Sequence, residues 1–128
     1  MSLDLQLLVW ASALALVQSV IAVLGAQIQV GLPELAGNRE DMPMLTGWAG
    51  RARLAHHNML ESLVLFAVLV LLAQVTGKAN AMTAIGSQLF FWGRIAYALI
   101  YWAGIPWART AAWTVSIIGL IVIFVQLV

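Results

Sequence analysis

Apolar residues run almost unbroken along four stretches of this chain, and polar residues gather in the intervals between them or stand alone inside them. From Leu3 to Val30 the only charge is Asp4, and the stretch exceeds the roughly 20 apolar residues that cross a bilayer as a helix. It predicts a first span, retained rather than cleaved, because a signal peptide opens with positive charge and has a shorter apolar core. Gln18, Gln27 and Gln29 interrupt its second half. An amide in hydrocarbon faces another helix that can hydrogen-bond it.

Residues 31–50 predict a polar loop. Gly31, Pro33, Gly37, Pro43, Gly47 and Gly50 oppose a helix, and Glu34, Arg39, Glu40 and Asp41 require water. Its length exceeds the usual connection and suits a lid; a solvated linker of mixed charge fits the same residues. A second span follows over residues 51–76 and stops at Thr76-Gly77-Lys78-Ala79-Asn80. A third covers residues 81–103 and closes at Gly104-Ile105-Pro106. A fourth covers residues 107–128, with Arg109 near its start and Gln126 near its end. The expected fold is all-α: a single four-span membrane domain in the form of a four-helix bundle.

Composition strengthens this picture. Of 128 residues, 63% are hydrophobic and 9% charged, with a mean hydropathy of +0.98. A soluble domain carries about 25% charged residues, and a chain this short has too little interior to hide the excess from water. Lipid is therefore the expected solvent. The six Trp suit the headgroup level of a bilayer. A net charge of +1 makes no electrostatic case for nucleic acid, and the absence of Cys excludes disulfides, thiolate metal sites and cysteine nucleophiles. Arg39, Arg51, Arg53 and Arg109 lie at or near the loops 31–50 and 104–106, against Lys78 alone on the other side. By the positive-inside rule those loops are cytoplasmic and both termini lie outside, in what is expected to be a bacterial inner membrane.

The candidate chemistry is concentrated in Arg51-Ala-Arg-Leu-Ala-His-His-Asn-Met-Leu-Glu61, at the start of the second span. At about 100° per residue, Arg51, Arg53, His57, Asn58 and Glu61 fall on one half of the helix, with His56 at its edge. Such a stripe lines a polar pocket and leaves the other half for lipid or packing. On the third span Arg94, Tyr97 and Tyr101 are spaced i, i+3 and i+7 and share a face. Ionisable groups inside a membrane mark function by default. Arg94 needs a partner, and Glu61 is the carboxylate available, so the expectation is a buried Arg94–Glu61 ion pair or a link through Asn58. Polar contacts that only hold helices together would use the same residues. His56 and His57 point in different directions and lack a third ligand, no metal site is expected, and no hydrolase triad or phosphate loop is present.

Taken together, Arg51, His56, Asn58 and Glu61 on the second span, Arg94, Tyr97 and Tyr101 on the third and Arg109 opening the fourth resemble the patterns of the MAPEG family, the membrane-associated proteins in eicosanoid and glutathione metabolism. The likeness covers nearly the whole chain. It implies a bacterial-type member, a homotrimer with intersubunit sites open to the cytoplasm, and glutathione as cofactor. Arg51, His56, Asn58, Glu61, Arg94, Tyr97 and Tyr101 would then bind glutathione, and Arg109 would be catalytic, stabilising its thiolate. A thiol with a pKa of about 8.5 is only partly ionised at neutral pH, and a nearby cation raises the thiolate fraction. The resemblance thus implies a glutathione-dependent transferase or peroxidase acting on an apolar small molecule from the membrane lipid. Two departures oppose it. Leu54 and Gln29 stand where the eicosanoid-type synthases place arginines, and each charge-assisted hydrogen bond lost is worth about 1.5–3 kcal/mol. These departures fit an alternative, a non-catalytic binding or assembly protein of the same fold that holds a lipid or lipophilic ligand.

Overall fold

A computed structural model describes residues 1–40 and 42–128, and its regular elements are all helices. They are α1 (Leu3–Val30), a short α2 (Leu32–Ala36), α3 (Gly47–Val75), α4 (Ala81–Ala103) and α5 (Pro106–Leu127). Asp41, expected in the polar loop, lies outside the described residues.

Each helix end has a local cause. Ser2 caps α1 by accepting from the Leu5 N–H, and Gly31, at φ 85°, ends it. Pro33 at the start of α2 has no N–H to lose there. Asn80 and Thr83 cap α4 reciprocally, each side chain taking the other's backbone N–H at 2.9 Å. Gly104 closes α4 in the left-handed conformation. Helix α3 begins at Gly47 instead of Arg51, so Gly47 and Gly50, expected to break a helix, lie inside its first turn. Gly50 is needed there because a Cβ would come within 2.8 Å of the Leu45 carbonyl oxygen, where the loop doubles back onto the helix.

The four long helices run alternately up and down. At one end Gln74 Nε2 donates to Ser2 Oγ (3.0 Å), Lys78 Nζ to the Leu127 carbonyl (2.9 Å) and Asn80 Nδ2 to Gln126 Oε1 (2.9 Å). The loop end is closed by Gln29 against Thr46 and Arg51 against Trp102. Helices α1, α3 and α5 are long and apolar enough to cross a membrane. Helix α4, at 23 residues, has the length but mixes Thr83, Ser87, Gln88 and Arg94 into its apolar sequence. Of these, Thr83, Ser87 and Arg94 are buried. The third expected span is therefore the one whose polar side chains, Gln88 apart, turn inward, and the flanking helices give the bundle its apolar surface.

Two apolar clusters form the core. The larger joins Leu7, Ala11 and Ala15 of α1 to Met59 and Phe66 of α3 and to Phe90 and Phe91 of α4, with Phe66 and Phe90 stacked at 4.2 Å. The smaller, nearer the loop end, contains Ala55, Tyr97 and Ala112. Helices α4 and α5 make the closest pairing, along a seam of small residues. A Cβ on Gly119 would lie 2.5 Å from the Gly86 carbonyl oxygen and 2.7 Å from the Phe90 nitrogen; a Cβ on Gly93 would lie 3.0 Å from the Ser116 nitrogen. In lipid, where apolar burial gives no net drive between helices, such backbone approach supplies the packing. Gly119→Ala should cost about 1–3 kcal/mol by overpacking, whereas Val125→Ala, on the exposed face, should stay within about 0.5 kcal/mol. Thermal unfolding of the two variants in detergent checks this, and equal losses would contradict the role given to the seam.

Candidate functional site

The face predicted on α4 is present and extends into α5. The Arg109 Cζ sits 4.3 Å from the Tyr101 ring centroid, Tyr101 and Tyr97 meet edge to face at 5.4 Å, and the Arg94 Cζ lies 4.1 Å from the Tyr97 ring. Two cations and two rings thus form one column, from the loop end of the bundle toward its middle. Each cation rests on the negative face of a ring, a contact worth about 0.5–2 kcal/mol depending on desolvation. Spacing of i, i+3 and i+7 puts the three α4 members in register, and the short turn at Gly104–Ile105 brings Arg109 over the last of them.

The column is graded in accessibility. Arg94 is 1% exposed and Tyr97 5%, whereas Tyr101 and Arg109 are half-buried. A ligand outside one protomer therefore meets Arg109 and Tyr101 first. Arg51 also lies at this end. Its Nε donates to the Trp102 carbonyl at 3.3 Å, and its guanidinium lies over Gly104, where an added Cβ would be 3.5 Å from Cζ. A cation against the last carbonyls of a helix satisfies one of them and opposes the negative end of the helix dipole. Arg51 thus positions the C-terminus of α4 beside the column.

Arg94 and Glu61 do not pair within the chain. All three guanidinium nitrogens of Arg94 lack a hydrogen-bond partner, as does the buried Asn58 Oδ1, so the link through Asn58 is not formed either. Glu61, the middle residue of α3, is exposed on the protomer surface. The sequence set the two at comparable depth, but Arg94 turns into the bundle and Glu61 out of it.

The single polar stripe on α3 is likewise divided between two neighbours. Arg51 faces the end of α4. Arg53, His56 and His57 line a separate cleft of about 410 Å³ under α2, between α3 and the second half of α1. Ala22, Val23 and Ala26 of α1 and Leu32 and Leu35 of α2 form its apolar wall, and Arg39 adds a second arginine to the rim. Half a helix circumference is wide enough to meet two different partners. His56 and His57 stand 6.1 Å apart at the ring centroids. Among the described residues no cluster of three or more His, Asp or Glu is placed to hold a metal ion.

Gln29 has a definite task. Its Nε2 donates to the Thr46 carbonyl at 2.6 Å and its Oε1 accepts from the Thr46 N–H at 3.0 Å, pinning the end of the loop to α1. Leu54 is 56% exposed on α3. The residues that the sequence reading did not place in a pocket are Gln18, Arg39 and Trp102. Gln18 was marked by being an amide inside an apolar run; Arg39 and Trp102 carried no distinguishing local pattern.

An all-helical bundle with three helices apolar enough to cross a membrane, and with a cation and tyrosine column running inward from one end, defines a membrane protein. More specifically, the chain belongs to the MAPEG family, whose family model matches residues 7–128. No curated protein and no solved structure matches it.

The paired bonds of Gln29 give a local prediction. Gln29→Ala should raise amide hydrogen exchange at Thr46 and its neighbours by about tenfold, as expected for losing roughly 1.4 kcal/mol of local protection, with little change in global unfolding. Unchanged exchange at Thr46 would show that the loop is held by other contacts.

Proposed function

We propose that the protein binds glutathione or a closely related thiol at the loop end of the bundle and uses its thiolate to conjugate or reduce an apolar electrophile that arrives from the membrane. The observation that carries this reading is the Arg109–Tyr101–Tyr97–Arg94 column, with Arg51 beside it. Three guanidinium groups around two phenols form an environment for an anion, and Arg109 is the accessible cation at its mouth. In conjugation the thiolate sulfur forms a bond to an electrophilic carbon, and the electron pair of the bond that breaks leaves with the displaced group. Arg109 holds the thiolate before attack. The 410 Å³ cleft, with apolar walls and a polar rim, suits the body of an amphipathic electrophile.

Membership of the MAPEG family supports the reading. So does Glu61: a carboxylate at the middle of a membrane helix is costly when it faces hydrocarbon, and Gln88 on α4 is also exposed. A second copy covering these positions removes the cost, which supports a homotrimer whose sites lie between protomers and are completed by Glu61. Loops 31–50 and 104–106 on the cytoplasmic side of a bacterial inner membrane, with both termini outside, agree with the arginines at that end.

The second reading, a non-catalytic member that holds a lipid, is favoured by Gln29 and Leu54. Gln29 spends its amide on Thr46, and Leu54 supplies no charge. Thiolate absorbance on adding glutathione to the purified protein separates the two. The wild type should give a thiolate signal and Arg109→Ala should lose it. Because Leu54 is exposed, Leu54→Arg should tighten glutathione binding by about tenfold, the equivalent of roughly 1.4 kcal/mol. Absence of both thiolate signal and thermal stabilisation at millimolar glutathione would refute the catalytic reading. Filling the cleft by Ala26→Leu should raise KM for the electrophile several-fold and leave glutathione affinity unchanged; parallel changes in both would place the electrophile elsewhere.

A further inference from the structure

The cleft under α2 has walls of two kinds. On one side α1 and α2 present small and aliphatic side chains, and on the other α3 presents Arg53, His56 and His57, with Arg39 at the mouth. Among the described residues no acidic side chain lines it; Glu34 of α2 lines a different recess, with Gln29 and Thr46. The occupant that complements these walls carries hydrocarbon at one end and negative charge at the other.

The depth of the cleft matches such a molecule. The Gln29 bonds to Thr46 set the end of α1 level with the start of α3. At about 1.5 Å per residue, Arg53 then stands roughly 10 Å below that level, and Ser19 and His57, which mark the inner end of the cleft, roughly 15 to 17 Å. The Cα–Cβ bonds of α3 tilt toward its N-terminus, at the loop end, and long cationic side chains snorkel toward water in the same direction. Trp48 and Trp107, in the first turns of α3 and α5, are exposed at this end, and indole rings of this kind lie at the level of lipid headgroups. The mouth of the cleft therefore stands where lipid phosphates stand. Among the described residues Arg39 is the one non-glycine residue with positive φ, at 63°, and its Nε donates to the Leu35 carbonyl at 2.8 Å. Strained backbone persists where surrounding contacts over-determine it, and it gathers at ligand clamps. Here it fixes a guanidinium against the end of α2, at the mouth.

We propose that the cleft holds one anionic phospholipid per protomer, with its phosphate between Arg39 and Arg53 and one acyl chain along the wall made by α1 and α2. A guanidinium fork matches phosphate oxygens, and basic recesses between membrane helices select anionic headgroups. The ring N–H groups of His56 and His57 supply further donors. A zwitterionic lipid brings its own cation to the same basic rim and binds less well. The lipid is distinct from the thiol placed at Arg109 and Tyr101, and its binding needs neither glutathione nor turnover. One consequence, competition between phospholipid and electrophile, rests on the reading that puts the electrophile in this cleft.

The test uses the full-length purified protein in detergent without glutathione. Phosphatidylglycerol and phosphatidylcholine with identical acyl chains are added in turn; native mass spectrometry counts bound lipid, and thermal unfolding is followed in parallel. Phosphatidylglycerol should bind saturably at one per protomer and raise the melting temperature, with phosphatidylcholine about tenfold weaker. Arg39→Gln and Arg53→Gln should each weaken phosphatidylglycerol about tenfold, the loss of one charge-assisted contact, and leave phosphatidylcholine unchanged. Lys78→Gln, at the opposite end of the bundle, should change neither lipid. Equal binding of the two lipids by the wild type, or full preference for phosphatidylglycerol in the doubly substituted Arg39→Gln, Arg53→Gln protein, would overturn the proposal. Displacement of the lipid by inorganic phosphate or by glutathione at equal concentration would do the same, since the cleft would then be a site for a free anion. The selectivity of the wild type decides the matter even where a variant fails to fold. In turnover, the KM for the electrophile should rise with phosphatidylglycerol; a KM that ignores it while lipid binding persists would move the electrophile, and not the lipid, out of the cleft.

Discussion

Arg94 is a guanidinium enclosed within a bundle whose outer surface is built for hydrocarbon. Its position constrains the rest of the structure, because a buried cation must be answered by aromatic faces, amides or anions drawn from neighbouring helices. Tyr97 answers it along α4, and Tyr101 and Arg109 extend that contact to the membrane boundary. Helix α4 carries the burden and can do so because α1, α3 and α5 supply the apolar exterior. Its own polar side chains, Thr83, Ser87 and Arg94, are turned inward.

Close backbone approach makes this arrangement possible. Gly86 against Gly119 and Gly93 against Ser116 let α5 lie directly on α4, which places Arg109 over Tyr101 through a turn of only Gly104 and Ile105. Gly104, left-handed at the end of α4, also lies against the Arg51 guanidinium. Arg51 of α3 and Arg109 of α5 therefore lie at the loop end of the bundle, and the column leads from there to Arg94 in its middle. The cleft under α2 is a different environment, with small and aliphatic walls and a basic rim, supplied by α1 and by the neighbouring face of α3. The loop end of the molecule thus carries a basic, aromatic surface and an apolar recess.

The departures from the eicosanoid-type pattern also have structural meaning. Gln29 is not an idle substitute for arginine: its amide is matched in both directions by the Thr46 backbone, so this chain uses the position to fasten its loop. Leu54 remains exposed with no comparable duty. The first change redirects a residue to the scaffold, and the second removes charge from a surface that a ligand could share.

The chain's class and its four long helices were legible in sequence, whereas the short α2 fell in a stretch read as loop. In hydrocarbon a backbone must satisfy its own hydrogen bonds, so long apolar stretches leave helices as the outcome here. The Arg94, Tyr97, Tyr101 face was legible for an equally local reason, since helical spacing alone puts those side chains in register. The early start of α3 at Gly47 was not, because it depends on Leu45 folding back against Gly50. Nor could sequence decide that Arg94 and Glu61 face apart, or that Arg53, His56 and His57 serve a cleft while Arg51 serves the end of α4. Each of these depends on how a helix is rotated against its neighbours. That rotation is set by side-chain volume along seams such as Gly86–Gly119 and Gly25–Ala49, between residues far apart in the chain, and only the tertiary structure brings them together.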